Sequence, residues 1–241
     1  VWHTFGRDAV FDRRLFDVFR AVDQRRRKSR LPAHPTLRDP RPALAAQRLI
    51  KDRAEQDAMR RAAAITCAGH VAAMTTTRPG MYEYETQAAL EKVFRDAGSP
   101  RNGYPSIVAS GANACVLHYH ENDRRMRSGD LLLIDAGAEV EGVTGDVTRT
   151  FPVNGVFSDA QKAVYQVVLR ALAAGVRACK PGAPWDRPHR ACVRALTKGL
   201  VDLGALRGDP AALVKDGAYR PFFMHGTSHW IGRDVHDVGG Y

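Results

Sequence analysis

The stretch LLLIDAGAEVEGVTGDVTRTFP, residues 131–152, holds two aspartates in a segment that is otherwise typical of a β-hairpin. Asp135 follows four consecutive apolar residues, which predict a buried strand, and Asp146 precedes a second β-branched run. If the chain turns around Val140–Gly142, the two aspartates lie on neighbouring strands at nearly the same height. Directly opposed side chains on one face of a sheet have Cβ atoms about 5 Å apart.

Two carboxylates at that separation repel one another or share a proton, and a divalent cation between them removes the conflict. Burying an unpaired carboxylate is also costly. The pair therefore favours a metal site over a bare acid pair. Each aspartate alone has a simpler interpretation, because Asp146 after Gly145 is typical of a turn and Asp135 of a strand end.

The segments around this hairpin predict an α+β domain. Residues 49–77 form an Ala-rich helical pattern that stops at Arg78-Pro79-Gly80, and a second helix over 83–97 ends at Gly98. Helix pairs that flank a mostly antiparallel sheet give this fold class. Short β-branched segments bounded by glycine are predicted as strands within 104–111, 130–142 and 142–153.

The helical arrangement recurs about one hundred residues later. Ser158 is predicted to cap a helix that stops at Lys180-Pro181-Gly182, and another helix over 186–203 ends near Gly204. The recurrence favours an internal duplication. Two unrelated helical hairpins are the alternative.

Histidines are concentrated near the end of the chain. The stretch HGTSHWIGRDVHD, residues 225–237, contains His225, His229 and His236, three of the nine histidines. Such density is unusual for packing residues and suits metal binding or proton transfer. His118 ends a short apolar stretch, and His120 would share its face in a strand. A lone histidine at a strand end is more often structural than catalytic.

Length and composition narrow the class of protein. The chain has 241 residues, 44% of them hydrophobic, enough for one large domain or one domain and part of another. It has no run of 18 apolar residues and no apolar core of a secretory signal, and it begins without Met, like the middle of a longer chain. The four cysteines form no CxxC pair, which predicts reduced thiols in the cytoplasm and neither a disulfide framework nor a thiolate metal site.

The net charge is +10, and the densest basic cluster is RRRKSR at 25–30. No aromatic residues interleave with it, which favours a solvated helix end over a nucleic-acid or membrane patch. Residues 31–48 hold four of the thirteen prolines and are predicted to form a linker. We therefore expect a domain boundary near residue 48, with separate regions over 1–48 and 49–241.

Several motifs resemble one family. LIDAGAEVEGVTGDVTRTFPV and FFMHGTSHWIGRDVHDVGG strongly resemble the Xaa-Pro aminopeptidases (aminopeptidase P), in the family shared with prolidase, creatinase and methionine aminopeptidase. RPGMYEYE and YPSIVASGANACVLHYHEN are similar to it too. The match runs from about residue 49 to Tyr241, and residues 1–48 resemble the tail of the family's N-terminal domain. The resemblance implies the α+β pita-bread fold, whose halves are related by approximate symmetry.

The resemblance also implies a site with two divalent metal ions, usually manganese. Asp135 would bind one ion, Asp146 would bridge both, and His229 would bind the other. Oxygen ligands with one imidazole also suit Co²⁺, Fe²⁺ or Zn²⁺.

Further residues gain roles from the same resemblance. The family uses such histidines to orient substrate, stabilise the oxyanion and shuttle protons, and here they are His118, His225 and His236. Tyr104 and Trp230 are the expected substrate-side residues. Asp237 is either a partner that fixes a histidine tautomer or a turn residue.

The implied reaction is removal of the N-terminal residue from peptides with proline in second position. A metal-activated hydroxide attacks the carbonyl before proline, and one metal receives the free amine, which makes the enzyme an exopeptidase. The expected partner is such a peptide, with homo-oligomerisation as in relatives and with neither nucleic acid nor membrane.

The chain departs from the family in one respect. The family site has five protein ligands, and two of them are glutamates downstream of the HDVGG motif, close to which this chain stops at Tyr241. Glu139 and Glu141 lie in the hairpin and do not replace them. The sequence therefore resembles a fragment with its C-terminal part missing, which we expect to bind metal weakly and not to turn over.

Two alternatives remain. Prolidase, which cleaves Xaa-Pro dipeptides, tends to have glycine before the ligand histidine, where this chain has Ser228. A non-catalytic histone- or RNA-binding module of the same fold would suit the positive charge. Creatinase uses the fold without metals, and the presence of Asp135, Asp146 and His229 argues against it.

Overall fold

A computed structural model describes residues 2–29 and 37–240. The chain divides into two compact units, residues 1–52 and 53–241. The boundary predicted near residue 48 falls just before this division.

The first unit contains two helices, α1 (Ala9–Ser29) and α2 (Arg41–Leu49). Helix α2 begins inside the stretch predicted as a linker and covers its second part, so that prediction is wrong from Arg41 onward. Pro40 is the N-cap and Pro42 lies in the first turn, where a missing N–H breaks no helical hydrogen bond. The rest of the linker, residues 30–36, and the side chains of 27–30 in the basic cluster lie outside the described part of the chain.

The second unit contains the two predicted helix pairs. Helices α3 (Arg53–Thr76) and α4 (Glu83–Asp96) pack together, as do α5 (Asp159–Ala178) and α6 (Arg187–Asp202), and a short α7 (Pro210–Lys215) follows. The predicted cap of α5 is confirmed, because the Ser158 hydroxyl accepts a bond from the Gln161 N–H at 3.3 Å. Common ancestry of the two pairs stays a prediction.

The strands form the predicted antiparallel sheet. Its order is β1 (Ile107–Ser110), β2 (Leu131–Ala136) and β5 (Val147–Pro152). Between β2 and β5, strands β3 (Glu139–Val140) and β4 (Val143–Thr144) form a small hairpin of their own. Glu141 and Gly142 have φ of 53° and 76°, as a tight two-residue hairpin turn requires.

The core lies between this sheet and the helix pair α3–α4. Leu90 and Phe94 of α4 pack against Val108, Leu132 and Ile134 of the sheet, all fully buried.

Helix α3 buries a face that includes polar groups. Its buried residues are Ala58, Ala62, Thr66, Gly69, His70 and Ala73. Val71 and Met74, two large apolar side chains of the same helix, are exposed. The buried face therefore carries a hydroxyl and an imidazole toward the sheet.

Composition also predicted reduced thiols and no membrane-spanning segment. The four cysteines are free thiols, with only Cys192 buried. Within the described ranges, no helix combines the length and apolar character needed to cross a bilayer.

Candidate metal centre

Asp135 and Asp146 are diagonal neighbours and not directly opposed. The β2–β5 register pairs Asp135 with Thr148, and Asp146 lies just before β5, two residues away. The predicted turn was located correctly, but its centre falls between Glu141 and Gly142. Because both strands run away from the turn, a shift of one residue in its centre moves every cross-strand partner by two.

Tyr104 links the two carboxyl groups. Its hydroxyl lies 2.6 Å from Oδ1 of Asp135 and 3.0 Å from Oδ1 of Asp146. Burial, with the two nearby carboxylates, raises the pKa of Tyr104, so the phenol keeps its proton and acts as a donor. One proton cannot satisfy both carboxylates at once, so a further positive group would stabilise the pair.

The pKa of Asp135 responds to the same crowding. Burial raises the pKa of this carboxyl, and the charge of Asp146 raises it further, while hydrogen bonds from Tyr104 and Thr148 act in the opposite direction. A divalent cation beside the pair would remove the repulsion and favour the ionised form.

His229 presents one ring nitrogen to this pair. Its Nδ1 lies 2.9 Å from the carbonyl oxygen of Trp230, an acceptor, so Nδ1 is the donor of that hydrogen bond and Nε2 is left to face the carboxylates. Nε2 lies 3.1 Å from Oδ2 of Asp146. The ring of His236 packs edge-on against His229 with centroids 4.2 Å apart.

The hairpin and a stacked indole hold the histidine segment. The Thr144 N–H donates to the Gly232 carbonyl at 2.9 Å, and the Asp237 N–H donates to the Trp230 carbonyl at 2.9 Å. The Trp230 ring stacks on Trp185 at 4.6 Å. These contacts fix the backbone that follows His229. The Asp237 carboxylate accepts a bond from the N–H of the next residue at 2.9 Å, as a turn residue does.

His118 and His225 are exposed. Within the described residues, no hydrogen bond, ion pair or ring contact joins either of them to the carboxylates or to His229. His118 stacks on His120, for which no role was predicted, with centroids 6.4 Å apart. Their predicted catalytic roles and that of His236 stay predictions, as do the substrate-side roles of Tyr104 and Trp230.

Helix α3 supplies two groups that the sequence analysis missed. The Thr66 hydroxyl accepts the Ala138 N–H at 2.9 Å and donates to the Ala62 carbonyl at 2.7 Å. His70 contacts the Thr66 carbonyl through Nδ1 at 2.9 Å, and its buried Nε2 has no hydrogen-bond partner among the described residues. The available signal was a pair of polar residues one turn apart on an Ala-rich helix.

The donor types fit a divalent cation. Two carboxylates and an imidazole whose Nε2 faces one of them are ligand types that Mn²⁺, Co²⁺, Fe²⁺ and Zn²⁺ accept. In the described part of the chain, however, no three His, Cys, Asp or Glu side chains converge around one point. The metal-ligand roles of Asp135, Asp146 and His229 therefore stay predictions, and a full coordination shell would need further ligands.

The chain is similar to named aminopeptidases. The chain is 45% identical to the Xaa-Pro aminopeptidase of Escherichia coli over 243 aligned residues, and 48% identical to that of Haemophilus influenzae over 203. The alignments cover 100% and 84% of this chain, and 54% and 47% of those proteins. The chain thus spans about half the length of the curated relatives it matches.

Solved structures agree as well. The chain matches Pseudomonas aeruginosa aminopeptidase PepP with a TM-score of 0.93 and 44% identity, over 100% of this chain and 54% of that one. It matches E. coli aminopeptidase P in complex with substrate equally well, over 55% of that chain. The predicted α+β pita-bread fold is confirmed. Because residues 57–241 match the family model of metallopeptidase family M24, the chain belongs to that family.

Proposed function

We propose that the protein is an Xaa-Pro aminopeptidase, a metal-dependent exopeptidase that releases the N-terminal residue from peptides with proline in second position. The observation that carries the proposal is the cluster in which Tyr104 joins Asp135 to Asp146 and Asp146 contacts Nε2 of His229. The similarity to named Xaa-Pro aminopeptidases supports the substrate class.

The proposed cofactor is a pair of divalent ions, with Mn²⁺ preferred and Co²⁺, Fe²⁺ or Zn²⁺ as substitutes. When bound, such ions supply Lewis-acid activation of water and of the scissile carbonyl. Asp135 and Asp146 would hold them through carboxylate oxygens and His229 through Nε2. The Tyr104 hydroxyl lies within hydrogen-bond distance of both carboxylates and would orient them by donating its one proton to either.

Other residues would act on the peptide. His236, whose ring lies against His229, would move a proton during the reaction. His118 and His225 are exposed imidazoles that can bind the substrate carbonyl and orient the chain. Trp230, backed by Trp185, offers an indole face suited to a proline ring.

The test uses the full open reading frame that encodes this chain, loaded with Mn²⁺. Hydrolysis of an Xaa-Pro-Yaa tripeptide is the expected result. Cleavage of an Xaa-Pro dipeptide alone would assign a prolidase instead, and failure on both would refute the proposal. Asp146→Asn should lower kcat by about a hundredfold or more, whereas Asp57→Asn, which changes an exposed aspartate on α3, should leave kcat unchanged.

The binding-module alternative is tested with the same variants. A module would keep its affinity for nucleic acid or histone in Asp146→Asn, and nucleic-acid binding would weaken steeply with salt. The peptidase proposal predicts loss of peptide hydrolysis in that variant and no salt-sensitive nucleic-acid binding.

We also propose that the protein is cytoplasmic and forms a homo-oligomer. The location is supported by its free cysteines. Subcellular fractionation tests the location, and light scattering coupled to size exclusion tests the assembly. Recovery in a secreted fraction would contradict the first proposal, and a monomeric mass the second.

A further inference from the structure

Glu83, the first residue of α4, is a fully buried carboxylate. A buried charge is tolerated only when its lone pairs are satisfied by hydrogen bonds or opposite charges. Its position at a helix N-terminus is favourable for negative charge, but the main contacts of this side chain lie outside α4.

Five donors surround the Glu83 carboxylate. Oε1 accepts the Ser110 N–H at 2.6 Å, the Ser110 hydroxyl at 2.7 Å and the Asn113 side-chain amide at 3.4 Å. Oε2 accepts the Tyr119 hydroxyl at 2.8 Å and the Arg124 N–H at 3.0 Å. These donors come from both ends of one connection, residues 110–124, so a single side chain closes that connection at its base.

The connection carries His118. His118 has a φ of 52°, in the left-handed region where a residue with a Cβ is strained, and its side chain is exposed. Val116 and Leu117 before it are exposed as well. Tyr119 directly after it is buried, and its hydroxyl ends on Glu83. A strained backbone persists only where surrounding contacts stabilise it. The hydrogen bond from Tyr119 to Glu83 stabilises the backbone next to His118.

Two further features reinforce this anchor. Burial, with the hydrogen bond to Glu83, raises the pKa of Tyr119 to about 12, so the phenol remains a donor at neutral pH. The Arg124 guanidinium donates to the Ser110 hydroxyl at 2.6 Å and to Asp130 at 2.8 Å, which fixes the base of the connection from the other side.

We propose that Glu83 and Tyr119 are positioning residues that hold His118 in the position that its proposed catalytic role requires. This inference rests on the proposed function, because His118 receives its role there. Glu83 would not touch substrate or metal. It would act through the Tyr119 hydroxyl and the backbone on both sides of the connection.

The test compares four forms of the full reading frame loaded with Mn²⁺: wild type, Tyr119→Phe, His118→Ala and the double variant. Tyr119→Phe removes one oxygen and keeps the Glu83 carboxylate, so it is gentler than Glu83→Gln. Tyr119→Phe should lower kcat/KM on an Xaa-Pro-Yaa tripeptide about tenfold, since a small misplacement of a positioned group has effects of that size. In the His118→Ala background the same change should have less than a twofold effect, because there is no imidazole left to misplace.

Calorimetric Mn²⁺ affinity should be unchanged in Tyr119→Phe, since the connection holds none of the proposed ligands. The matched control is Tyr84→Phe, which changes an exposed tyrosine on α4 directly after Glu83. It should match wild type in every measurement. Equal losses in both backgrounds, no loss in either, or weakened Mn²⁺ binding would overturn the proposal.

If wild type cleaves neither tripeptide nor dipeptide, the proposed function fails, and the positioning role is decided by NMR. The His118 ring Cε1–H resonance should shift or broaden in Tyr119→Phe and stay unchanged in Tyr84→Phe. A His118 resonance identical in all three proteins would overturn the positioning role independently of catalysis.

Discussion

The β2–β5 hairpin and the histidine segment 225–237 both contribute to the candidate site, but they are built differently. In the hairpin, Asp135 lies in a strand paired on both sides. The segment that carries His229 has neither helix nor strand and is held by a few hydrogen bonds and one indole stack. The hairpin therefore fixes Asp135 through regular backbone pairing and holds Asp146 directly before a paired strand, whereas His229 depends on individual contacts. Substitutions should cost more in the hairpin than in the segment.

The largest expected effect comes from one glycine in each region. A side chain at Gly137 would collide with the Gly145 carbonyl and the Tyr104 ring, whereas one at Gly226 meets nothing within 4 Å. Gly137→Ala should lower the free energy of unfolding by about 3 kcal/mol, and Gly226→Ala should be nearly neutral. Hydrogen-exchange protection of the β2 and β5 amides measures both. Equal effects would remove the distinction between the regions.

The second-largest loss of stability should come from removing the contact by which α3 supports the hairpin. Thr66→Val keeps the shape of the side chain but leaves the Ala138 N–H without its acceptor, at an expected cost of about 2 kcal/mol. Thr75→Val on the same helix removes a hydroxyl that bonds only within α3 and is exposed, so it is the control. Urea unfolding of both variants gives the difference. A loss in Thr75→Val as large as in Thr66→Val would contradict this view of the hairpin.

The raised pKa of Asp135 gives a pH dependence of defined sign. In metal-free protein the folded state keeps a proton that the unfolded chain has released, so this contribution to stability is present near and below pH 3.8 and is lost as pH rises through the raised pKa. Asp135→Asn removes the effect. Its stability relative to wild type should therefore rise with pH above 3.8.

Added Mn²⁺ should stabilise wild type at neutral pH and have little effect on Asp135→Asn. Unfolding free energies measured across this pH range, with and without Mn²⁺, test both statements. A difference between the two proteins that does not vary with pH would show that burial of Asp135 is fully compensated without a cation.

The smallest effect should come from the left-handed residue before His229. Ser228 has a φ of 70° and is exposed, so Ser228→Gly relieves backbone strain but adds freedom to the unfolded chain. The stability should change by less than about 0.5 kcal/mol. Gly142→Ser, at a φ of 76° in the hairpin turn, should cost about 1 kcal/mol. Thermal unfolding ranks the two changes, and the opposite order would place the more demanding turn in the histidine segment.

Sequence patterns predicted the helices and strands more accurately than they predicted how these elements lie relative to one another. The strands within 104–153 and the cap at Ser158 follow from local chemistry, and the structure has them. The helix α2 was missed because the prolines dominated the pattern, although two of them stand where a helix can begin. The diagonal offset of Asp135 and Asp146 depended on the centre of one turn, which a pattern of residue types locates only to within a residue.

The sequence by itself determined the fold class, the family motifs and the residue types of the site. Alternation, caps and motif spacing are local properties that the order of residues carries directly. Only the tertiary structure decided which atoms meet: Tyr104 between two carboxylates, Nε2 of His229 against Asp146, and Glu83 at the base of the His118 connection. Tyr104 lies 31 and 42 positions from Asp135 and Asp146 in the sequence, and Tyr119 lies 36 positions from Glu83. No local pattern encodes such distances, because they are set by how the sheet packs against α3 and α4.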